Sequence, residues 1–315
     1  MFHCIGAISK HSPIMKQSFF LSWFDQSTVK HLRFHFSFYL MPVFLFALSQ
    51  TGNIRWPQTI LSFIILHFLI FPASNGYNSY QDRDETSIGG IKHPPKVNRN
   101  LFYVTLLFDI TGIICGIFIS VYFSLMTLIF VLMSRAYSYR GIRLKKYPII
   151  GFLTVFIFQG GFVYLIASSA ISHFSFETFF TINQIICMGI ASLFLGSAYP
   201  LTQIYQHEAD KRDGVISISY KLGYNGTFIF SAVLFSLATI LLIYYFEIKN
   251  QQIALFLFSV LMLPVIVKLS VWFNKVRRNT DNANFENTMN MNFITSTCMN
   301  LYFSILILNH IWTWF

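Results

Sequence analysis

A chain of 315 residues that is 55% hydrophobic, 18% aromatic and only 11% charged is not an ordinary water-soluble domain. Its mean hydropathy of +0.56 points the same way. A net charge of +10 would suggest a nucleic-acid partner in a soluble protein, but here the placement of the basic residues ties it to a membrane, so no nucleic acid is expected.

Residues 34–54, 56–81, 148–176, 178–206, 222–246 and 287–315 contain no Asp, Glu, Lys or Arg. Each run can hold a span of about twenty apolar residues, so the fold class is all-α, a polytopic membrane protein. Cys4, Cys115, Cys187 and Cys298 are scattered, with neither metal-ligand nor disulfide spacing, and they are expected as small core residues. The first thirty residues are broken by charges and lack the compact apolar core of a signal peptide.

In chain order, residues 1–33 carry Lys10, Lys16, Lys30 and Arg33 and are expected to form a basic leader on the membrane surface. The transmembrane domain is expected over 34–315. Its first span is about 34–50, with Pro42 inside it, and its second about 57–74. Gly89-Gly90 and Pro94-Pro95 then make a loop. Residues 100–138 are about twice one span and are divided near Ser120. A loop at 134–148 holds Arg135, Arg140, Arg143, Lys145 and Lys146 and no acid. Further spans follow at about 149–170, 178–204, 226–246, 252–273 and 293–314, which makes nine. With nine spans, all but Arg55 and Lys249 of the 22 Lys and Arg fall on one side. The positive-inside rule makes that side cytoplasmic, in an integral multi-pass protein of the bacterial inner-membrane type.

Two polar stretches stand at helix ends on that side. Asn75, Asn78 and Asp82 are spaced three and four apart, so they share a helical face. Gln203, Gln206, His207, Asp210 and Gly214 form a second such row. Polar rows directly after apolar spans are costly unless they bind something. Mg²⁺ prefers oxygen ligands and is commonly held by one or two carboxylates plus substrate phosphates. Asp82 and Asp210 suit that use, with Asn78 and Gln206 as neutral oxygens, while Arg140, Arg143, Lys145 and Lys146 can neutralise a diphosphate. An aromatic-rich cavity beside a metal-clamped diphosphate points to a polyprenyl diphosphate donor.

The nine-span layout and its two polar motifs resemble the UbiA superfamily of intramembrane prenyltransferases, over the chain from about residue 33 onward. That family's first motif reads N-D-x-x-D-x-x-x-D; Asn78 and Asp82 match it, while Ser79 and Thr86 replace its outer aspartates. Its second motif reads D-x-x-x-D-x-x-x-G. Here Gln206 replaces the first aspartate, and Asp210, Gly214, Ser217 and Leu222-Gly223 follow. Tyr137, Arg140, Tyr147 and Pro148 match elements of the loop between the fourth and fifth helices. The resemblance implies nine helices around a central cavity and Mg²⁺-dependent transfer of a prenyl group to an aromatic or other lipid-soluble acceptor among membrane lipids. It implies catalytic Asp82 and Asp210, metal held by Asn78, Asp82, Gln206 and Asp210, and substrate bound by Asn75, Tyr137 and the basic loop.

Asp109, a lone charge inside the third span, either contacts the acceptor or hydrogen-bonds a neighbouring helix. His207 is expected as a local partner of Asp210. Gln159 and Gln184 are expected to bond between helices. A small-molecule or lipid transporter, and a non-catalytic member that binds a prenyl lipid, stay open as alternatives.

Overall fold

The computed structural model describes residues 23–173 and 181–312. The leader before residue 23, with Cys4, Lys10 and Lys16, lies outside the described residues. Nine helices in this set are long and apolar enough to cross a membrane. They are α1 (Gln26–Ser49), α2 (Trp56–Asp82), α3 (Arg99–Ile117), α4 (Val121–Ser138), α5 (Pro148–Ile171), α6 (Ile182–Arg212), α7 (Ile218–Ile248), α8 (Gln252–Arg278) and α9 (Phe285–Asn309). Apart from one bridge between Ile88 and Ile91, no strand pairing occurs among the described residues. Each helix packs on the next, and α9 packs on α1, which closes the ring. Ile114, Phe118, Val121, Leu132, Ile240 and Phe256 stay exposed on the outside, as a lipid-facing surface requires.

The expected break near Ser120 is a true helix boundary. The Ser120 side chain accepts from the Phe123 N–H at 3.0 Å, capping α4. Several ends differ from expectation: α2 runs on to Asp82 and α6 to Arg212, and α7 starts at Ile218. α1 starts eight residues earlier than residue 34, in three pieces: Gln26–Leu32, a tight turn over Phe34–Tyr39, and Met41–Ser49. Arg33 joins the first two in the left-handed region, with φ 49°. Residues 25–33 therefore belong to the bundle. Asp25 caps α1 by accepting from the Thr28 N–H at 2.8 Å and also takes Asn98 Nδ2 at 2.6 Å. α9 likewise starts at residue 285 instead of 293, because Asn284 caps it by accepting from the Asn287 N–H at 3.0 Å. The polar segment between α8 and α9 shrinks to a tight turn, closed by Trp272 Nε1 donating to the Asn282 carbonyl at 2.8 Å.

Three local distortions shape the interior. α2 and α5 each widen into a π-turn, over Ile65–Ile70 and Phe156–Gly161. In α5 the widening lets α6 come very close: a Cβ on Gly160 would stand 2.5 Å from Ser192 Cα. The freed Gly161 N–H donates to Ser192 Oγ at 2.9 Å. α7 kinks at Gly223, whose φ of 67° and ψ of 178° are available only to glycine at low cost.

Candidate active site

Both polar helix ends, the loop between α2 and α3, the loop between α4 and α5 and the start of α9 meet at one end of the ring. Their meeting is direct: Lys92 pairs with Glu286 at 2.5 Å, Arg140 with Asp213 at 3.4 Å, and Gln206 Nε2 donates to the Ser87 carbonyl at 3.3 Å. Beneath them lies a cavity of about 250 Å³. A water needs only ~10–15 Å³ measured in the same way, so this chamber is sized for a ligand.

Seven expected site residues line the cavity: Asn75, Asn78, Asp82, Tyr137, Lys145, Gln206 and Asp210. Asp82, with a side chain 6% exposed, is held by two cations. Lys145 Nζ bonds its Oδ2 and Arg143 Nη2 approaches its Oδ1 at 3.4 Å. Lys145 Nζ also donates to Asn78 Oδ1 at 3.2 Å, and Ser138 Oγ donates to that same oxygen at 2.9 Å. Tyr137 and Tyr199 share a 2.5 Å hydroxyl contact, and Gln203 Nε2 donates to the Tyr199 hydroxyl at 2.8 Å.

Four expected site residues stand elsewhere. Arg143 and Arg140 form the rim: both pair with Asp213, and Arg140 Nε donates to the Gln81 carbonyl at 2.8 Å. They tie the end of α6 to the end of α2. Lys146 is exposed and does not line the cavity. Asp109 is not there either. Its carboxylate pairs with Arg135 on α4, whose guanidinium lies 3.9 Å from the Tyr77 ring centroid. Asp109 thus joins α3 to α4, the helix-bonding one of its two expected roles, and does not line the cavity as a substrate contact. His207 does not partner Asp210. A 3-10 turn at Ile204–Gln206 rotates it away, onto Ser219 Oγ at 2.8 Å and the Tyr224 ring. Gln184 bonds Ser168 Oγ at 2.6 Å as expected, whereas Gln159 lines the cavity.

The cavity also holds residues that sequence reasoning passed over. Arg33, 7% exposed, donates to the Asn75 carbonyl at 2.9 Å and the Gly89 carbonyl at 3.3 Å, and its Nε has no partner. Its only sequence signal was being the last cation before a charge-free run. Asp84 lines the cavity while neighbouring Glu85 and Thr86 are exposed. Burial, aided by repulsion from Asp82, pushes its carboxyl up to about 6 against the pull of Lys145. Gln203 Oε1, Asn75 Nδ2 and the Tyr205 hydroxyl are buried in the lining without partners.

Among the described residues, no three His, Cys, Asp or Glu side chains form a closed metal-ligand set. Mg²⁺ does not need one, since it takes one or two carboxylates and leaves its other positions to phosphate and water. Asp84 and Asp210, with the orphaned Gln203 oxygen, are a hard-oxygen donor set of that kind. The residues present therefore fit the ion.

Nine helices ringed around a charged and partly aromatic chamber define a polytopic membrane protein with an internal ligand site. The chain belongs to the UbiA prenyltransferase family, whose profile matches residues 38–294. A UbiA homologue from Archaeoglobus fulgidus bound to DMAPP and Mg²⁺ has the same fold, with TM-score 0.64 and 16% identity over 90% of this chain and 99% of that one. A UbiA homologue from Aeropyrum pernix K1 gives 0.63 and 15% over 87% and 98%. A digeranylgeranylglyceryl phosphate synthase gives 0.58 and 18% over 90% and 98%. No curated protein matches the chain in sequence.

Proposed function

We infer that this protein transfers a prenyl group from a polyprenyl diphosphate to an aromatic or other lipid-soluble acceptor, using Mg²⁺. The observation that carries the reading is the joining of two unlike chambers. The charged cavity shares Tyr39, Leu195, Ala198, Thr295 and Ser296 with an apolar cavity between α1, α6 and α9. That second cavity continues past Val43, Phe46, Phe194, Met299 and Phe303. A molecule with a diphosphate at one end and a hydrocarbon tail at the other suits both. Family membership and the DMAPP- and GPP-bound homologues support the same reading.

In this mechanism Lys145 and Arg33 attract the diphosphate, and Asp82 holds Lys145 in place. Mg²⁺ held from Asp84 and Asp210 would supply charge that neutralises the leaving diphosphate. The allylic C–O bond breaks with its electron pair departing on oxygen, toward Lys145 and Arg33. Phe71, Phe130 and Phe158 turn ring carbon toward the chamber, where aromatic faces stabilise the developing carbocation. The acceptor's nucleophilic atom then forms the new bond to carbon and releases its proton. Tyr137, Tyr199 and Gln203 form a hydrogen-bonded row that can orient the acceptor. With Asp109 paired to Arg135, the transporter reading loses its unpaired intramembrane acid. Purified protein given a panel of radiolabelled prenyl diphosphates with crude lipid extract is expected to yield a labelled lipid and free diphosphate. Uptake of label into vesicles without a new covalent product would replace this reading with transport.

A further inference from the structure

The two halves of the charged cavity are unequal. On the Asn78–Asp82 half the cation positions are already taken. Both Asp82 oxygens meet a basic group, Lys145 on Oδ2 and Arg143 on Oδ1. Asn78 Oδ1 receives Lys145 Nζ and Ser138 Oγ, which uses both of its lone pairs. The pair is well shielded, with side chains of Lys145 and Arg143 12% and 10% exposed. A metal ion entering here would have to displace a buried, doubly bonded ammonium and leave it unpaired.

Two further carboxylates, within electrostatic reach of Asp82 and Lys145, are open. Asp84 and Asp210 both line the cavity, and among the described residues neither carboxylate has a hydrogen-bond or ion-pair partner. They lie within electrostatic reach of each other. Gln203 and Arg33 line the same chamber, Gln203 with a buried Oε1 that receives no donor and Arg33 with a buried Nε that meets no acceptor. The free cationic donor marks where an anion sits, and the free oxygens mark where a cation does.

The geometry points to a divided site, in which Lys145 stands on Asn78 and Asp82 as a tethered cation in place of a metal ion, and a single divalent ion is held from Asp84 and Asp210. This deepens the prenyltransferase reading and rests on it. It also accounts for the acids missing from the first polar stretch. Ser79 is buried outside the cavity and Thr86 is exposed, so neither position meets a cation, and one carboxylate there suffices to hold a lysine. Asp84, two residues beyond Asp82, supplies the second carboxylate from the loop.

The test is the number of Mn²⁺ ions bound per chain, read by electron paramagnetic resonance on full-length protein saturated with geranyl thiolodiphosphate. The wild type is expected to bind one. Lys145→Met, which keeps the stem and removes the charge, should take up a second, and Lys145→Arg should stay at one. Asp84→Asn should weaken the ion by more than the ~10–100-fold that loss of an outer-shell partner costs. Asp82→Asn should still bind it. Two ions in the wild type, one in Lys145→Met, or unchanged affinity in Asp84→Asn would each overturn the assignment. Two ions with the analogue bound would leave the prenyltransferase reading standing. A wild type that binds neither the analogue nor Mn²⁺ would remove both.

Discussion

Asp84 shows how much a single side chain changes the account of this site. Its carboxyl is raised from the ordinary carboxylate range to about 6 by burial and by Asp82. A raised carboxyl pKa means the folded state holds its proton more tightly than the unfolded chain does. The stability this contributes is full below the unfolded value near 3.8 and is lost as pH rises through about 6. At neutral pH the ionised group is therefore a burden of about 3 kcal/mol that the fold carries for its site. Asp84→Asn should raise the melting temperature in detergent at pH 8, and the difference should vanish by pH 4. A variant that melts lower than wild type at pH 8 would show that the carboxylate is structurally satisfied. Motif spacing exposed Asn78, Asp82, Gln206 and Asp210 because helical periodicity fixes which residues share a face. It was silent on Asp84, which follows the left-handed break at Arg83 where that periodicity ends. It could not decide between two roles for Asp109, since an intramembrane acid looks unpaired until Arg135, a turn before the end of another helix, is seen beside it.

At the scale of elements, hydropathy located every span because a lipid-facing helix must be apolar throughout its length. What it missed were the ends, where capping side chains and neighbours decide. The first turn of α1 is polar, yet Asp25, Ser27 and His31 fasten it to the loop before α3, His31 by a 2.8 Å bond to the Pro95 carbonyl. The Gln159-Gly160-Gly161 run was not legible as a contact in the sequence. Its role is the close approach of α5 to α6, two walls of the cavity. Gly160→Ala puts a methyl against the backbone at Ser192, and overpacking of this kind costs ~1–3 kcal/mol. The variant should melt lower than wild type and bind prenyl diphosphate more weakly, because Leu195, Ala198 and Tyr199 on α6 shift with it. Gly189→Ala, on α6 and meeting only the flexible side chain of Leu241 on α7 at 3.3 Å, should do neither. Equal melting of Gly160→Ala and wild type would refute the close contact.

The whole molecule places every long charged loop at the cavity end, and the odd number of spans sends the two ends of the ring's path to opposite faces. With Arg55 and Lys249 the cations at the far end among the described residues, the positive-inside rule predicts that the cavity opens toward the cytoplasm. In a cysteine-free background, Glu85→Cys should react with an impermeant maleimide only after the membrane is breached. Gln251→Cys, at the turn between α7 and α8, should react in intact cells. The reverse pattern would invert the protein.

The central claim is that Asp82 and Asp210, brought together from helices four apart, act as one diphosphate site with the cations around them. Diphosphate release from a prenyl diphosphate, followed against Mg²⁺ concentration in nanodiscs, tests it most directly. Asp82→Ala and Asp210→Ala should each abolish release, the first by freeing Lys145 and the second by removing the ion's carboxylate. The double variant should be scarcely worse than either single, because parts of one machine do not add. Release that survives both alanine substitutions and a chelator would contradict the account.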